Sequence, residues 1–236
     1  MSHLNMLASL GAIRQERRFN IISNNLANVK TAGFKKDVPV FRKIVSQALD
    51  RAKSRERDGQ AIFFQPGEIQ KTGSPLDLSI DGEGFFKIKT PYGTRYTRTG
   101  NFVLDKDNRL VTGSGFPVLG KNGEMFLNGS PVTIEADGTV KAGGNDMGQI
   151  ALVTFADTKD LTKEGYTLFK VEDSRVEKEA DQAQVLQGTL ESSNVNAMEE
   201  MIQLMDALRT YESCLKVIQS KDETDSKAVN DLGRVS

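Results

Sequence analysis

The spacing of apolar residues along this chain changes period twice. Between residue 4 and about residue 32 it is helical. Met6, Leu10 and Ile13 lead, and Ile22, Leu26 and Val29 follow at i, i+4, i+7. That spacing predicts one helix of roughly 28 residues, about 42 Å long. Asn24, Asn25 and Asn28 run beside the rear half of the apolar stripe. Asparagine is a mediocre helix former because its amide competes for nearby backbone groups, so the cluster needs a reason other than propensity. Lys30 suits a last turn, and Gly33 is the expected left-handed cap.

From Pro66 to about Leu190 the period shortens to two. Leu76, Leu78 and Ile80 alternate with Asp77, Ser79 and Asp81, and further strands are expected near 86–89, 102–104, 132–134 and 150–155. Asp81-Gly82, Pro91-Tyr92-Gly93, Asn122-Gly123, Asp137-Gly138 and Gly143-Gly144 supply the turns between them. Short strands between close turns predict an antiparallel β domain, a sandwich or barrel-like. After Ser193 the helical period returns. Val195, Met198, Ile202 and Met205 step by 3, 4, 3, the spacing of a coiled-coil seam. Leu208, Tyr211, Leu215 and Ile218 continue it one residue out of phase. Asn196 and Glu199 outline a capping box at the start of this helix.

The expected architecture is therefore α+β. Residues 1–34 and 193–236 form long terminal helices that pair as a coiled coil. Residues 35–65 are a basic connector, with a short amphipathic helix near Phe41–Leu49, and 66–192 are an inserted antiparallel β domain. Ile22, Leu26, Val29, Val195, Met198, Ile202, Met205, Leu208, Leu215 and Ile218 are the expected helix–helix seam. Asn24, Asn25 and Asn28 are expected to fix its register through amide hydrogen bonds.

Charge adds an asymmetry. The formal net of −1 over 236 residues conceals about +7 over residues 1–58 and about −4 over 191–236. Ends of opposite sign can attract each other or the ends of neighbouring copies. The basic front is too mixed in sign and too poor in aromatics for a nucleic-acid patch. No apolar run approaches the roughly 18 residues that span a bilayer, so no membrane insertion is expected. The first residues lack a basic segment followed by an apolar core, so neither is a cleaved secretory signal.

Composition also narrows the chemistry. Cys214 is the single cysteine and His3 the single histidine, which leaves a hydrolase triad or a zinc site without its usual residues. Gly82-Glu83-Gly84 and Gly113-Ser114-Gly115 begin like dinucleotide loops but lack the third glycine and a following helix. Asp105-Lys106-Asp107 lacks the glycine and terminal glutamate of a calcium loop. No catalytic residue, metal or cofactor is expected, and the chain reads as a non-enzyme.

Three blocks carry a resemblance. The first is Asn24-Asn25-Leu26-Ala27-Asn28 followed by Thr31-Ala32-Gly33-Phe34. The second is Gly84-Phe85-Phe86, Tyr96-Thr97-Arg98-Thr99-Gly100-Asn101-Phe102 and Leu110-Val111-Thr112 leading to Gly115. The third is Gly188-Thr189-Leu190-Glu191-Ser192-Ser193-Asn194-Val195-Asn196, then Met201 and Tyr211-Glu212. In this order the blocks resemble the bacterial flagellar axial family of rod and hook proteins, with length and tail favouring the proximal-rod branch over the distal-rod and hook types. The resemblance implies a structural subunit of the flagellar basal-body rod, polymerising helically as the drive shaft for motility. It implies terminal helices in the axial core and an outer β domain. The implied partners are copies of the chain, other rod and axial proteins, and the flagellar type III export apparatus. Export would then need no cleaved signal peptide. The competing expectation is a soluble enzyme or carbohydrate-binding β domain carried on a dimerising coiled coil.

Overall fold

The computed structural model describes residues 3–40, 60–128, 131–173 and 176–232. Most of the expected connector, including the amphipathic stretch near Phe41–Leu49, lies outside the described residues. The architecture is α+β, with a helix at each end of the chain and antiparallel strands between. Two units divide it. The helical unit contains α1 (His3–Ala27), the strand Asp37–Pro39 and α2 (Ala197–Leu232), and the β unit contains residues 28–36 and 62–195.

The β unit is organised on a six-stranded antiparallel sheet. Its order is Leu161–Glu164, Leu168–Val171, Gly93–Thr97, Phe85–Thr90, Leu152–Phe155 and Glu177–Glu179. The central hairpin turns over Pro91 and Tyr92, with Thr90 opposite Gly93 and Phe86 opposite Thr97. Gly93 has φ +102°, a conformation that the tight reversal requires and that other residues rarely adopt.

Successive side chains of a strand point to opposite faces, and here both faces are covered. Phe86 and Ile88 enter one core with Leu78, Ile80, Phe102, Leu110, Val118, Val140, Ile150 and Val185. Phe85 enters a second core with Tyr96, Val153, Phe155, Leu161 and Phe169. The second core is largely aromatic. Phe85 lies 5.8 Å from Phe155 and 5.7 Å from Phe169, and Tyr96 meets Phe155 at 4.8 Å, edge to face. The Tyr96 hydroxyl donates to Glu177 at 2.7 Å. Burial, and then that carboxylate, push its pKa well above the ordinary tyrosine range.

Among the described residues the strands do not close into a barrel, which corrects that part of the sequence-based expectation. Closure needs the first and last strands to pair, and here both edges are short and charged. Glu164 on one edge pairs with Arg95, and Glu177 on the other pairs with Lys87. Charged residues on short edge strands discourage further pairing.

The α-helix of α1 ends at Ala27 instead of near residue 32. Asn28 begins a turn in which its carbonyl and side-chain oxygens both accept from Thr31, each at 3.1 Å. The N–H of Gly33 then goes to the carbonyl of Glu191 at 2.7 Å. A partner far away in the sequence has taken the donor that helix continuation would have used.

Phe86 is fully buried and packs edge to face on Phe102 at 5.1 Å between centroids. Phe86→Ala is expected to lower the unfolding free energy of the β unit by about 3–5 kcal/mol. Urea denaturation followed by near-ultraviolet circular dichroism measures this.

Candidate functional site

The most ionic place inside the β unit is built around Glu191, at the end of the strand Thr189–Glu191. One carboxylate oxygen accepts from the Lys35 ammonium at 2.5 Å and from the Gly67 N–H at 2.9 Å. The other accepts from Arg98 Nε at 2.8 Å. Lys35, Arg98 and Glu191 are all buried. Two cations against one anion leave an excess positive charge, and backbone carbonyls absorb it. Arg98 also donates to the carbonyls of Gly82 at 2.9 Å and Gly84 at 2.7 Å, and Lys35 to that of Gln65 at 3.0 Å. Burial lowers the Lys35 pKa below the ordinary lysine range, and the neighbouring Glu191 charge opposes that shift.

This cluster clasps the segment 33–36 into the β unit. Gly33 has φ +67°, and a Cβ there would lie 2.5 Å from the Thr99 nitrogen, so the position accepts only glycine without rearrangement. Thr99 donates its hydroxyl to the Ala32 carbonyl at 2.9 Å. Phe34 is fully buried, with the Lys163 ammonium 3.9 Å from its ring centroid. Lys163 also donates to the Lys35 carbonyl at 2.7 Å. Asn194 completes the dock. Its Oδ1 accepts from Lys36 N–H at 2.8 Å, and its amide donates to the carbonyls of Phe63 and Gln65.

The helical unit holds a second buried polar group. Asn25 exchanges two hydrogen bonds with the backbone of Asp37, donating to its carbonyl at 2.8 Å and accepting from its N–H at 2.9 Å. Its amide also donates to Glu200 Oε2 on α2 at 3.1 Å. Asn25 is 1% exposed and Glu200 0%. Asn24 donates to Asp37 Oδ2 at 3.3 Å. On α2, Asn196 Oδ1 accepts from the N–H groups of Met198 and Glu199, capping the first turn, and Glu199 and Glu200 face the positive end of the dipole.

The apolar positions of α2 fall on two rows. The less exposed row is Glu200, Leu204, Ala207, Tyr211, Cys214 and Ile218, which steps strictly by 4 and 3. Two of its members reach α1 directly, Glu200 at Asn25 and Cys214 at Gly11, where an added Cβ would sit 3.2 Å from the sulfur. The second row is Met198, Met201, Ile202, Met205, Leu208 and Leu215, all between 36% and 70% exposed. At roughly 100° per residue these residues occupy a neighbouring flank of the helix.

Three family models match the chain in order. They are the flagella basal body rod protein model at residues 7–35, the flagellar hook protein FlgE/F/G D1 domain at 79–142, and the flagellar basal body rod FlgEFG protein C-terminal model at 186–232. Each contributes one charged member of the clasp: Lys35, Arg98 and Glu191 respectively. The chain is 36% identical over 232 residues to a flagellar basal-body rod protein FlgF of Caulobacter vibrioides, covering 93% of this chain and 94% of that one. It is also 34% identical over 249 residues to FlgG of Bacillus subtilis, covering 91% and 93%. A FlgF of Rhizobium meliloti is 30% identical over 223 residues, covering 92% of each chain.

The chain belongs to the flagellar basal-body rod protein family. Its similarity to the FlgF of Caulobacter vibrioides, at 36% identity, exceeds that to the FlgG of Bacillus subtilis, at 34%. The rod family is structural and not enzymatic, and its place is the flagellar basal body. In this rod-family chain Ile22 is buried on α1 and Leu26 is half-buried, whereas Val29, Asn28, Gly33 and Val195 belong to the β unit. Val195 is buried there. Met198, Ile202, Met205, Leu208 and Leu215 stand exposed, and Ile218 is half-buried. Sequence reasoning gave no separate role to Lys35, Arg98, Glu191 or Phe34, and it set Glu200 at the positive end of the α2 dipole without its hydrogen bond to Asn25. A signal existed, since Arg98 and Glu191 are lone charges inside otherwise uncharged motifs.

Glu191→Gln leaves two buried cations facing a neutral amide. It is expected to cost the β unit about 3–5 kcal/mol, lowering its melting temperature by about 6–20 °C. Gly33→Ala is expected to cost more than about 1 kcal/mol. Thermal melts read by circular dichroism measure both. Asn25→Leu strands the Asp37 N–H and carbonyl, and is expected to cost the helical unit about 1–3 kcal/mol, read as faster amide exchange at Asp37.

Proposed function

We propose that this rod subunit polymerises with copies of itself and with other rod and axial proteins through α1 and α2, which form a coiled-coil axial layer of the drive shaft. The observation that carries the reading is the second row of α2. Met198, Met201, Ile202, Met205, Leu208 and Leu215 form an apolar stripe that stands exposed among the described residues. An apolar stripe at this spacing is what a further helix packs on. Charge favours the terminal helices of a neighbouring subunit as that helix. α1 carries three arginines against one glutamate, and α2 eight acids against four bases.

On this reading Ile22, Leu26, Val29, Val195 and Ile218 support the helix pair and its junctions. Asn24 and Asn25 fix register through Asp37 and Glu200, Asn28 stops α1 at the Thr31 turn, Gly33 seats the segment that follows, and Asn196 and Glu199 open α2. The similarity to FlgF-type relatives supports a place in the proximal, periplasm-spanning part of the rod. Export through the flagellar type III apparatus, without a cleaved signal, is part of the same reading. Long helices with an uncovered apolar face gain most of their stability on packing, so their ordering is coupled to assembly.

Leu208→Glu places a charge in the stripe without touching the α1-facing row. In a strain lacking its own copy of the gene, this variant is expected to leave swim rings no larger than the deletion strain, with an unchanged melting curve for the purified chain. Full swimming by Leu208→Glu would remove the stripe from the assembly interface.

A further inference from the structure

The exposed stripe of α2 has an unusual composition. Three of the chain's seven methionines, Met198, Met201 and Met205, fall within eight residues of it. They are 70%, 47% and 50% exposed, whereas Met125 in the β unit is 4% exposed and Met147 is half-buried against the same core. All three thioethers share one flank of the helix, at i, i+3 and i+7. Thioether oxidation follows access, and it converts a flexible apolar side chain into a polar one.

We propose that Met198, Met201 and Met205 form an oxidation site that controls assembly through α2, with hydrogen peroxide as the class of oxidant. In each event the sulfur lone pair attacks a peroxide oxygen and the O–O bond breaks. The sulfur gains one oxygen and loses two electrons, and the peroxide leaves as water after proton transfer. The sulfoxide oxygen is a strong acceptor in the middle of the stripe. A packed helix would have to desolvate it, and the stripe residues Ile202, Leu208 and Leu215 offer no donor, Arg209 one turn beyond Met205 being the nearest side chain of that flank that carries one. The site is open only while the stripe is uncovered, so an assembled subunit is protected by its neighbours. A peptide-methionine sulfoxide reductase restores the thioether. This inference rests on the assembly reading above.

Two measurements on the full chain test it. The first is a peroxide time course read by mass spectrometry, as gain of about 16 Da per oxygen. The tryptic peptide 179–209 holds all three stripe methionines, and peptide 122–141 holds Met125. Peptide 179–209 is expected to oxidise at least about fivefold faster per methionine, as exposure governs access. Equal rates would overturn the proposal. The second compares two triple variants by swim-ring diameter in the deletion strain. Met198→Leu, Met201→Leu, Met205→Leu keeps the stripe apolar and is expected to swim as wild type. Met198→Gln, Met201→Gln, Met205→Gln imitates the polarity of the sulfoxide and is expected to fall to the deletion level. Wild-type swimming by the glutamine triple variant, with Leu208→Glu immotile, would overturn the oxidation site and leave the assembly reading standing. Wild-type swimming by both would overturn the two together.

Discussion

The buried carboxylate of Glu191 ties together parts of the β unit that are far apart in sequence. It binds a lysine from the segment after α1, an arginine from the central hairpin and a backbone N–H at Gly67, while its own carbonyl takes the N–H of Gly33. A buried ion pair is weak grounds for stability, because desolvation consumes most of the Coulombic gain. Its effect here is on register. A shift of one residue in segment 33–36 would move Lys35 off Glu191, Phe34 out from under Lys163 and Gly33 out of the gap beside Thr99. Each displacement strands a buried polar or charged group, so competing registers are penalised far more than the native one is rewarded.

The helical unit follows the opposite logic. A self-sufficient helix pair puts its largest apolar residues between the helices and its charges outside. In this pair Gly11, Cys214 and the Asn25–Glu200 hydrogen bond lie between the helices, while Met198, Ile202, Met205 and Leu208 face outward. Small and polar groups at the seam let the backbones approach and fix one alignment, at a cost in stability. The β unit closes its own two cores. The helical unit leaves Met198, Ile202, Met205 and Leu208 exposed.

Much of this was legible in the amino-acid sequence, and the gaps have physical causes. Alternation, dictated by the pleat, placed the strands Leu78–Asp81, Phe85–Thr90, Phe102–Leu104, Val132–Ile134 and Leu152–Phe155 within about two residues, whereas Gly93–Thr97, Leu161–Glu164, Leu168–Val171 and Glu177–Glu179 of the central sheet carry too short or too polar a pattern to be read that way. Barrel closure was not legible, since which strands form edges depends on pairings distant in sequence. Nor was the end of α1. Gly33 looks like a helix cap, but its N–H is claimed by Glu191, a residue 158 positions later. On α2 the heptad period was visible, while the choice between its two rows was not. Periodicity reports that a face is apolar, not whether the chain or a neighbour covers it. The clasp went unassigned because a lone arginine and a lone glutamate in separate motifs acquire meaning only when the fold brings them within 2.8 Å.

The asparagines of the first motif show how these two logics meet in neighbouring residues. Asn24 and Asn25 turn their amides onto Asp37, and Asn25 also reaches Glu200. Asn28 turns inward on Thr31 to stop the helix. An aliphatic residue at either buried position would raise helix propensity or burial. It would also leave the Asp37 backbone or the Thr31 turn without its partner, and an unsatisfied buried polar group costs more than a methylene group gains. Amides are retained because each supplies a donor and an acceptor on one short side chain, which a turn leaving a helix needs. The rule that makes asparagine poor inside a helix thus makes it suitable where this helix must end, and where the next segment must leave in one direction only.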